Sequence, residues 1–195
     1  MVFGGFAAPE LAIRIKDCKP KGIICSTAGK EPNRIVDYEK IVAEAIKLSS
    51  IKDLPVIIHE REIKKRDYVD KNWHCFEEVE KGGDNISPHA LDSTHPLYII
   101  YTSGTTGAPK GIYRDHGGTA VVLNHALKNI YNLHEGDGLF CSSDIGWVLG
   151  HSFITYAPLL RGIRSILFEG KPIGTPDAGV FWRMIHKHKS IKSII

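Results

Sequence analysis

The residues PLYIIYTSGTTGAPKG, at positions 96–111, contain the sharpest local change in the chain. An apolar run of strand length at 96–101 is followed by ten residues that include three glycines, four hydroxyl side chains and one lysine. Such a run predicts a buried β-strand. Glycine lets backbone N–H groups approach an oxyanion, hydroxyl groups add neutral donors, and Lys110 adds a mobile positive charge. The stretch therefore predicts a strand that leads into a phosphate-binding loop.

The spacing of this loop differs from that of a P-loop NTPase. Gly107 lies three residues before Lys110, and Gly111 stands where the GxxxxGK[ST] pattern needs serine or threonine. An ordinary P-loop NTPase is therefore disfavoured. From the residues alone, a flexible surface turn remains the alternative interpretation.

Strand-like and helix-like patterns alternate along the rest of the chain, which predicts α/β layering. We predict helices at 9–16, after the N-cap Asp37, around 123–131, at 152–160, and from a cap at Asp177 to 187; we predict strands at 22–25, 55–58, 139–142, 165–168 and from 190. The face of the helix around 123–131 is marked by Leu123, Leu127, Ile130 and Tyr131. In the helix after Asp37, we expect Glu39 and the other charged residues to face water. The charge-rich segment 60–70 predicts a solvated surface insertion with few anchors.

Composition excludes several classes of protein. The 195 residues carry a net charge of +3, with 24% charged and 43% hydrophobic residues, so the chain is neither a polybasic nucleic-acid tail nor intrinsically disordered. No apolar run approaches the roughly 20 residues of a membrane helix. The four cysteines show no CxxC pair, which is typical of a reduced intracellular protein. The N-terminal residues show no targeting signal.

The sequence YTSGTTGAPKG at 101–111 resembles the phosphate-loop signature of the AMP-forming acyl-CoA synthetases, within the adenylate-forming superfamily. Three further stretches are similar to the short-chain branch of that family: VFGGFAAPELAIRI at 2–15, SDIGWVLGHSF at 143–153 and EGKPIGTPDAGVFW at 169–182. The last is most similar to the propionyl-CoA-synthetase-like members. The resemblance implies an α/β fold in which residues 1–195 form an incomplete piece of the large N-terminal domain, with the C-terminal domain absent.

The resemblance also implies a reaction: ATP, a short-chain carboxylate such as propionate or acetate, and coenzyme A give acyl-CoA, AMP and pyrophosphate through an acyl-adenylate. ATP, Mg²⁺ and coenzyme A are the implied small-molecule partners, without nucleic acid or a membrane span. Relatives of the propionyl type suggest the mitochondrial matrix. We expect the 195-residue chain to be inactive alone. Two alternatives stay open: a nucleotide-binding regulatory module without ligase activity, and a non-enzymatic interaction fragment.

Three groups of residues match motifs of the family. The group assigned to the β- and γ-phosphates of ATP contains Thr102, Ser103, Gly104, Thr105, Thr106, Gly107 and Lys110. The acyl pocket is assigned Trp147, Val148 and Leu149, with Trp147 closing its far end, although a plain core or interface aromatic is the alternative for Trp147. The coenzyme A contact is assigned Glu31, Pro32, Asn33 and Arg34.

Two of these groups depart from acetate-specific relatives. Leu149 replaces a small threonine-like residue, which disfavours strict use of acetate, and one methylene is worth only about 1–3 kcal/mol in an apolar pocket, so acyl preference should be graded. Glu31 replaces an arginine, so a solvated loop is the alternative for Arg34.

No catalytic residue and no metal ligand is assigned. His186 and His188 point to different sides of a helix and are expected at the surface. His151 is expected to be structural.

Overall fold

The computed structural model describes residues 1–68, 70–102, 109–170, 175–189 and 192–194. The chain divides into two compact units. The N-terminal unit contains Gly4–Ala90 and Tyr101–Gly111, and the C-terminal unit contains Met1–Phe3, Leu91–Ile100 and Ile112–Ile195. Among the helices of the described residues, none has the length and apolar character needed to cross a membrane.

The N-terminal unit alternates helices and strands, which confirms the predicted α/β layering. Its elements are α1 (Ala8–Cys18), β1 (Ile23–Ser26), β2 (Ala28–Glu31), β3 (Arg34–Asp37), α2 (Tyr38–Ser49), β4 (Val56–His59), β5 (Trp73–Cys75) and α3 (Phe76–Lys81). Strands β1, β4 and β5 form a parallel sheet in the order β1–β4–β5, with Val56 opposite both Ile23 and Trp73. Strands β2 and β3 form an antiparallel hairpin.

Local sequence signals explain the two longer helices of this unit. Proline stands in the first turn of α1, and the Asp37 side chain caps α2 by accepting a hydrogen bond from the Lys40 backbone N–H at 3.2 Å. Both helices end at residues in the left-handed region, Lys19 and Ser50. Their apolar faces pack together around Ala12, Ile15, Ala45 and Leu54, and α2 also packs on the sheet through Val42, Val56, Ile58 and Trp73.

Two predictions about charged residues in this unit are wrong. Glu39 is fully buried instead of facing water, and its Oε2 lies 2.5 Å from Lys64 Nζ. The segment 60–70 is anchored as well, because the Thr27 hydroxyl donates to the Lys64 carbonyl at 2.7 Å and accepts from the Arg61 N–H at 3.0 Å. Helical periodicity predicts that the Glu39 carboxylate faces water, because a pattern within one helix contains no information about Lys64, which compensates the buried charge.

The strands β6 (Pro96–Thr102) and β7 (Lys110–Asp115) pair in a two-stranded sheet and have residues in both units. The other elements of the C-terminal unit are α4 (His116–His125), a π-helical segment π1 (Ala126–Ile130), β8 (Gly138–Cys141), α5 (Val148–Gly150), a π-helical segment π2 (His151–Tyr156), α6 (Ala157–Leu160), β9 (Arg164–Ile166), α7 (Val180–Lys187) and β10 (Lys192–Ile194). Strands β10, β8 and β9 form a parallel sheet in that order. The largest core of this unit contains Leu123, Leu127, Leu133, Leu139, Ala157 and Ile163.

The structure corrects three expectations here. Strand β6 is not buried as a whole: Ile100 is 4% exposed but Ile99 is 41% exposed, because a strand is buried on both sides only when layers cover both faces. Ile130 was expected on the buried face of its helix and is 70% exposed, because π1 widens the helical turn. Gly179, not Asp177, is the N-cap of α7; Asp177 instead accepts a hydrogen bond from the Gly179 N–H and pairs with Arg183.

Candidate functional site

The structure places both ends of the proposed phosphate loop. Thr102 is the last residue of β6 and is exposed, and Lys110, also exposed, is the first residue of β7 instead of a loop residue. The other members of the group, Ser103, Gly104, Thr105, Thr106 and Gly107, lie outside the described residues. The glycine-rich stretch thus begins at the end of one strand and ends at the start of the strand paired with it.

The residues assigned to the acyl pocket lie at the start of a helix in the C-terminal unit. Trp147, Val148 and Leu149 are 47%, 44% and 39% exposed. The Trp147 ring packs against Phe3, with centroids 5.6 Å apart. Trp147 is therefore half-exposed, with its ring packed against Phe3.

A tight turn precedes this helix. The Asp144 carboxylate accepts a hydrogen bond from the Gly146 N–H at 2.8 Å, and the Asp144 carbonyl accepts one from the Trp147 N–H at 3.0 Å. Gly150 lies against the same backbone, because a Cβ at this position would be 2.6 Å from the Asp144 carbonyl carbon. The turn and the helix therefore pack backbone to backbone, and this packing sets the position of Trp147.

His151 begins π2 directly after these residues and is 4% exposed. Its Nε2 lies 3.1 Å from the Tyr156 hydroxyl, while its buried Nδ1 faces the Ile145 backbone without forming a regular hydrogen bond. The Tyr98 ring meets the imidazole edge to face at 4.5 Å and stacks on Tyr156 at 5.6 Å. Burial lowers the pKa of His151 and raises the pKa of Tyr156. His151 is thus a packed structural histidine, as predicted, while its Nδ1 lacks the hydrogen-bond partner of a fully satisfied side chain.

The burial of His151 predicts that the free energy of unfolding depends on pH. Because the pKa of His151 is lower in the folded chain than in the unfolded chain, the unfolded chain binds the proton more readily as pH falls below about 6.5. We expect His151 to lower the free energy of unfolding by up to about 1.4 kcal/mol per pH unit on going from pH 7 towards pH 5. Urea unfolding at several pH values measures this slope, which should be shallower in His151→Gln. The exposed control His134→Gln should keep the wild-type slope, and an unchanged slope in His151→Gln would contradict the prediction.

The residues assigned to coenzyme A form the tip of the β2–β3 hairpin. Glu31 pairs with Arg34 in the strand register, and Pro32 and Asn33 make the two-residue connection. Pro32, Asn33 and Arg34 are exposed, and Glu31 is half-buried. The sequence indicated a loop here and missed the hairpin, although its Pro-Asn turn was a usable signal.

The assigned residues fall in different units. Thr102, Lys110 and the hairpin 31–34 belong to the N-terminal unit, and residues 147–149 belong to the C-terminal unit. His186 is exposed and His188 is partly buried at the end of α7. Within the described ranges, no group of three or more histidine, cysteine or carboxylate side chains is arranged to hold a metal ion.

Comparison with known proteins identifies the family. The family model described as AMP-binding enzyme matches residues 1–190. The chain belongs to the AMP-binding enzyme family. Within that family, acyl-CoA synthetase short-chain family member B, mitochondrial, from Dictyostelium discoideum is 44% identical over 97% of this chain and 28% of its own length. The human acyl-CoA synthetase short-chain family member 3, mitochondrial, is 44% identical over 96% of this chain. The propionate–CoA ligase of Salmonella typhimurium is 40% identical over 97% of this chain.

The fold of the chain is similar to that of a solved structure. The acetoacetyl-CoA synthetase from Streptomyces lividans matches with a TM-score of 0.83 at 24% identity, over 96% of this chain and 28% of that protein. The likeness confirms the predicted fold class. The chain spans 28% to 30% of the length of the three relatives named above.

Proposed function

We propose that the chain carries the ATP-phosphate loop of an AMP-forming short-chain acyl-CoA synthetase. The observation that carries the proposal is the glycine- and hydroxyl-rich stretch 102–110, in a chain that is 40% identical to a propionate–CoA ligase. Thr102, the five residues 103–107 and Lys110 bind the β- and γ-phosphates of MgATP. Negative charge builds on pyrophosphate as it leaves, and preorganised donors stabilise that charge.

The remaining assignments belong to the same proposal. A carboxylate attacks the α-phosphate of ATP to give acyl-AMP and pyrophosphate, and the thiol of coenzyme A then attacks the acyl carbon and releases AMP. Residues 147–149 form part of the acyl pocket, which accepts acetate, propionate and butyrate with a graded preference. The hairpin 31–34 contacts coenzyme A, with Arg34 supplying the positive charge.

Residues 1–195 are proposed to form part of the large N-terminal domain of such an enzyme. We propose that the 195-residue chain binds MgATP and does not catalyse turnover by itself. The proposed location is the mitochondrial matrix, supported by the printed names of the Dictyostelium and human relatives.

Replacing Lys110 by alanine should weaken MgATP binding to the chain about tenfold, because a charge-assisted contact to the phosphates is lost. Isothermal titration of the wild-type chain, Lys110→Ala and the control Lys128→Ala measures this effect. Lys128 is also exposed, but it lies in π1, outside the glycine-rich stretch 102–110. Its variant should therefore bind MgATP as the wild type does. Equal affinity of all three proteins would contradict the phosphate-loop assignment.

Binding without turnover would also fit a regulatory module, so a second measurement separates the two. In a chimera, residues 1–195 replace the matching segment of the Salmonella typhimurium propionate–CoA ligase. ATP–pyrophosphate exchange by this chimera is then measured with acetate, propionate and butyrate. The ligase proposal expects exchange with all three acids, graded by chain length. A folded chimera that binds MgATP but shows no exchange with any acid would favour the regulatory module.

A further inference from the structure

Tyr101 connects the start of the glycine-rich loop to helix α1. It is the residue of β6 directly before Thr102, and its hydroxyl donates a hydrogen bond to Asp17 Oδ2 at 2.5 Å. Asp17 lies near the end of α1, 84 residues earlier in the sequence. Both residues belong to the N-terminal unit. The last part of β6 is therefore tied through a side chain to a packed helix, in addition to its pairing with β7.

The helix that accepts this hydrogen bond is itself held firmly. Arg14, three residues before Asp17, is 6% exposed, and its guanidinium lies 4.1 Å from the centroid of the Phe6 ring and 5.5 Å from that of the Tyr101 ring. Its Nη1 donates to Glu10 Oε2 at 3.0 Å. Residues three apart share one face of a helix, so Arg14 and Asp17 present a cation and an acceptor to the same tyrosine.

The phenol of Tyr101 stays a hydrogen-bond donor throughout the neutral range. Burial, together with the hydrogen bond to Asp17, raises the pKa of Tyr101. A neutral hydroxyl that donates to a carboxylate forms a short, charge-assisted hydrogen bond. Such a bond restrains the backbone on either side of Tyr101, and Thr102 is on one of those sides.

We propose that Asp17 is a positioning residue for the glycine-rich loop, acting through Tyr101. Fixing the Tyr101 side chain fixes the strand end at Thr102, so Thr102 loses less conformational freedom when an anionic ligand binds. The restraint is a property of this chain alone; only its consequence for MgATP rests on the proposed function.

Hydrogen–deuterium exchange of the 195-residue chain tests the proposal without any ligand. In Tyr101→Phe and in Asp17→Ala, amide exchange in peptides covering residues 102–111 should be roughly three- to tenfold faster, as expected for loss of one hydrogen bond. Exchange in β1 and β4 should not change. Tyr113→Phe is the matched control, because Tyr113 is 64% exposed and lies on β7, the strand at the other end of the same loop. Its exchange should equal that of the wild type.

Two outcomes would overturn the proposal: unchanged exchange at 102–111 in both variants, or faster exchange spread evenly over the N-terminal unit, which would indicate a purely structural role. The double variant should exchange no faster than either single variant, because both substitutions remove the same hydrogen bond. MgATP titration of the same proteins separates this proposal from the previous one. A wild-type chain that does not bind MgATP, while the variants show the local change, would contradict the nucleotide assignment and leave the positioning role supported.

Discussion

Replacing Lys64 by methionine should lower the free energy of unfolding by about 3–5 kcal/mol, because the substitution leaves a buried carboxylate without its cation. Glu39 is fully buried, and the Lys64 side chain is only 18% exposed. Beyond the 2.5 Å contact with Lys64 Nζ, the Glu39 carboxylate accepts weaker hydrogen bonds from the backbone N–H groups of Asp67 and Tyr68. Those two bonds cannot replace the positive charge. Urea unfolding followed by circular dichroism measures the loss.

A neighbouring lysine provides the control for this experiment. Lys65 also pairs with a carboxylate, at 2.9 Å from Glu60, but its side chain is 74% exposed. An exposed ion pair is screened by water and contributes little, so Lys65→Met should be nearly as stable as the wild type. The double variant Glu39→Gln with Lys64→Met should recover part of the loss, since it removes the unpaired charge and the amide oxygen still accepts one of the two backbone hydrogen bonds. Equal stability of the Lys64 and Lys65 variants would contradict the buried ion pair.

The pH dependence of the Lys64 effect has a definite sign. Desolvation lowers the pKa of Lys64, but hydrogen bonds to Glu39 and Asp67 outweigh it, so the pKa lies above its ordinary value. A lysine whose pKa is raised by folding contributes its full stabilisation below the unfolded pKa, and that stabilisation decreases only as pH rises above it. The Lys64 ammonium itself should therefore contribute no pH dependence from pH 6 to pH 9, and any change in the difference between wild type and Lys64→Met over that range reports the Glu39 carboxylate left unpaired in the variant.

Local signals explain which elements the sequence could predict. Helices α1 and α2 and strands β4 and β8 were found because caps and apolar periodicity are properties of short windows. Strand β2, with the sequence AGKE, has no apolar alternation, and β5 has only three residues, so neither gave a signal. The sequence also does not predict the π-helical segments, because their turns do not follow the 3.6-residue period of the α-helix.

Prediction of the candidate site depends on residue types and not on periodicity. Residue types and family resemblance assigned residues 102–110, 147–149 and 31–34 to ATP, the acyl group and coenzyme A, but long-range contacts such as Tyr101 with Asp17 have no signature in a single sequence. The same applies to Tyr98, which packs on His151 from a distant part of the chain. The sequence therefore predicts candidate ligand contacts, whereas the structure adds the long-range packing around them.

Replacing Gly150 by alanine should lower the free energy of unfolding by about 1–3 kcal/mol, the usual range for overpacking. The backbone of Gly150 is ordinary helix, with φ −62° and ψ −46°, so an alanine in open space would stabilise the chain by roughly 0.5–1 kcal/mol. Here the added Cβ would lie 2.6 Å from the Asp144 carbonyl carbon, 2.9 Å from the Ser143 carbonyl oxygen, and closer still to the Asp144 oxygen. All three are backbone atoms, so no side-chain rotation relieves the clash.

The clash has to move the turn that precedes Trp147, because Asp144 also accepts the hydrogen bonds that hold Gly146 and Trp147. Gly82→Ala is the control: its φ is −88°, and the nearest atom to an added Cβ lies at 3.7 Å. That variant should stay within about 0.5 kcal/mol of the wild type. Urea unfolding of the two alanine variants gives the comparison directly. If Gly150→Ala were as stable as Gly82→Ala, the backbone packing between α5 and the Asp144 turn would be looser than these distances require, and it would not fix the position of Trp147.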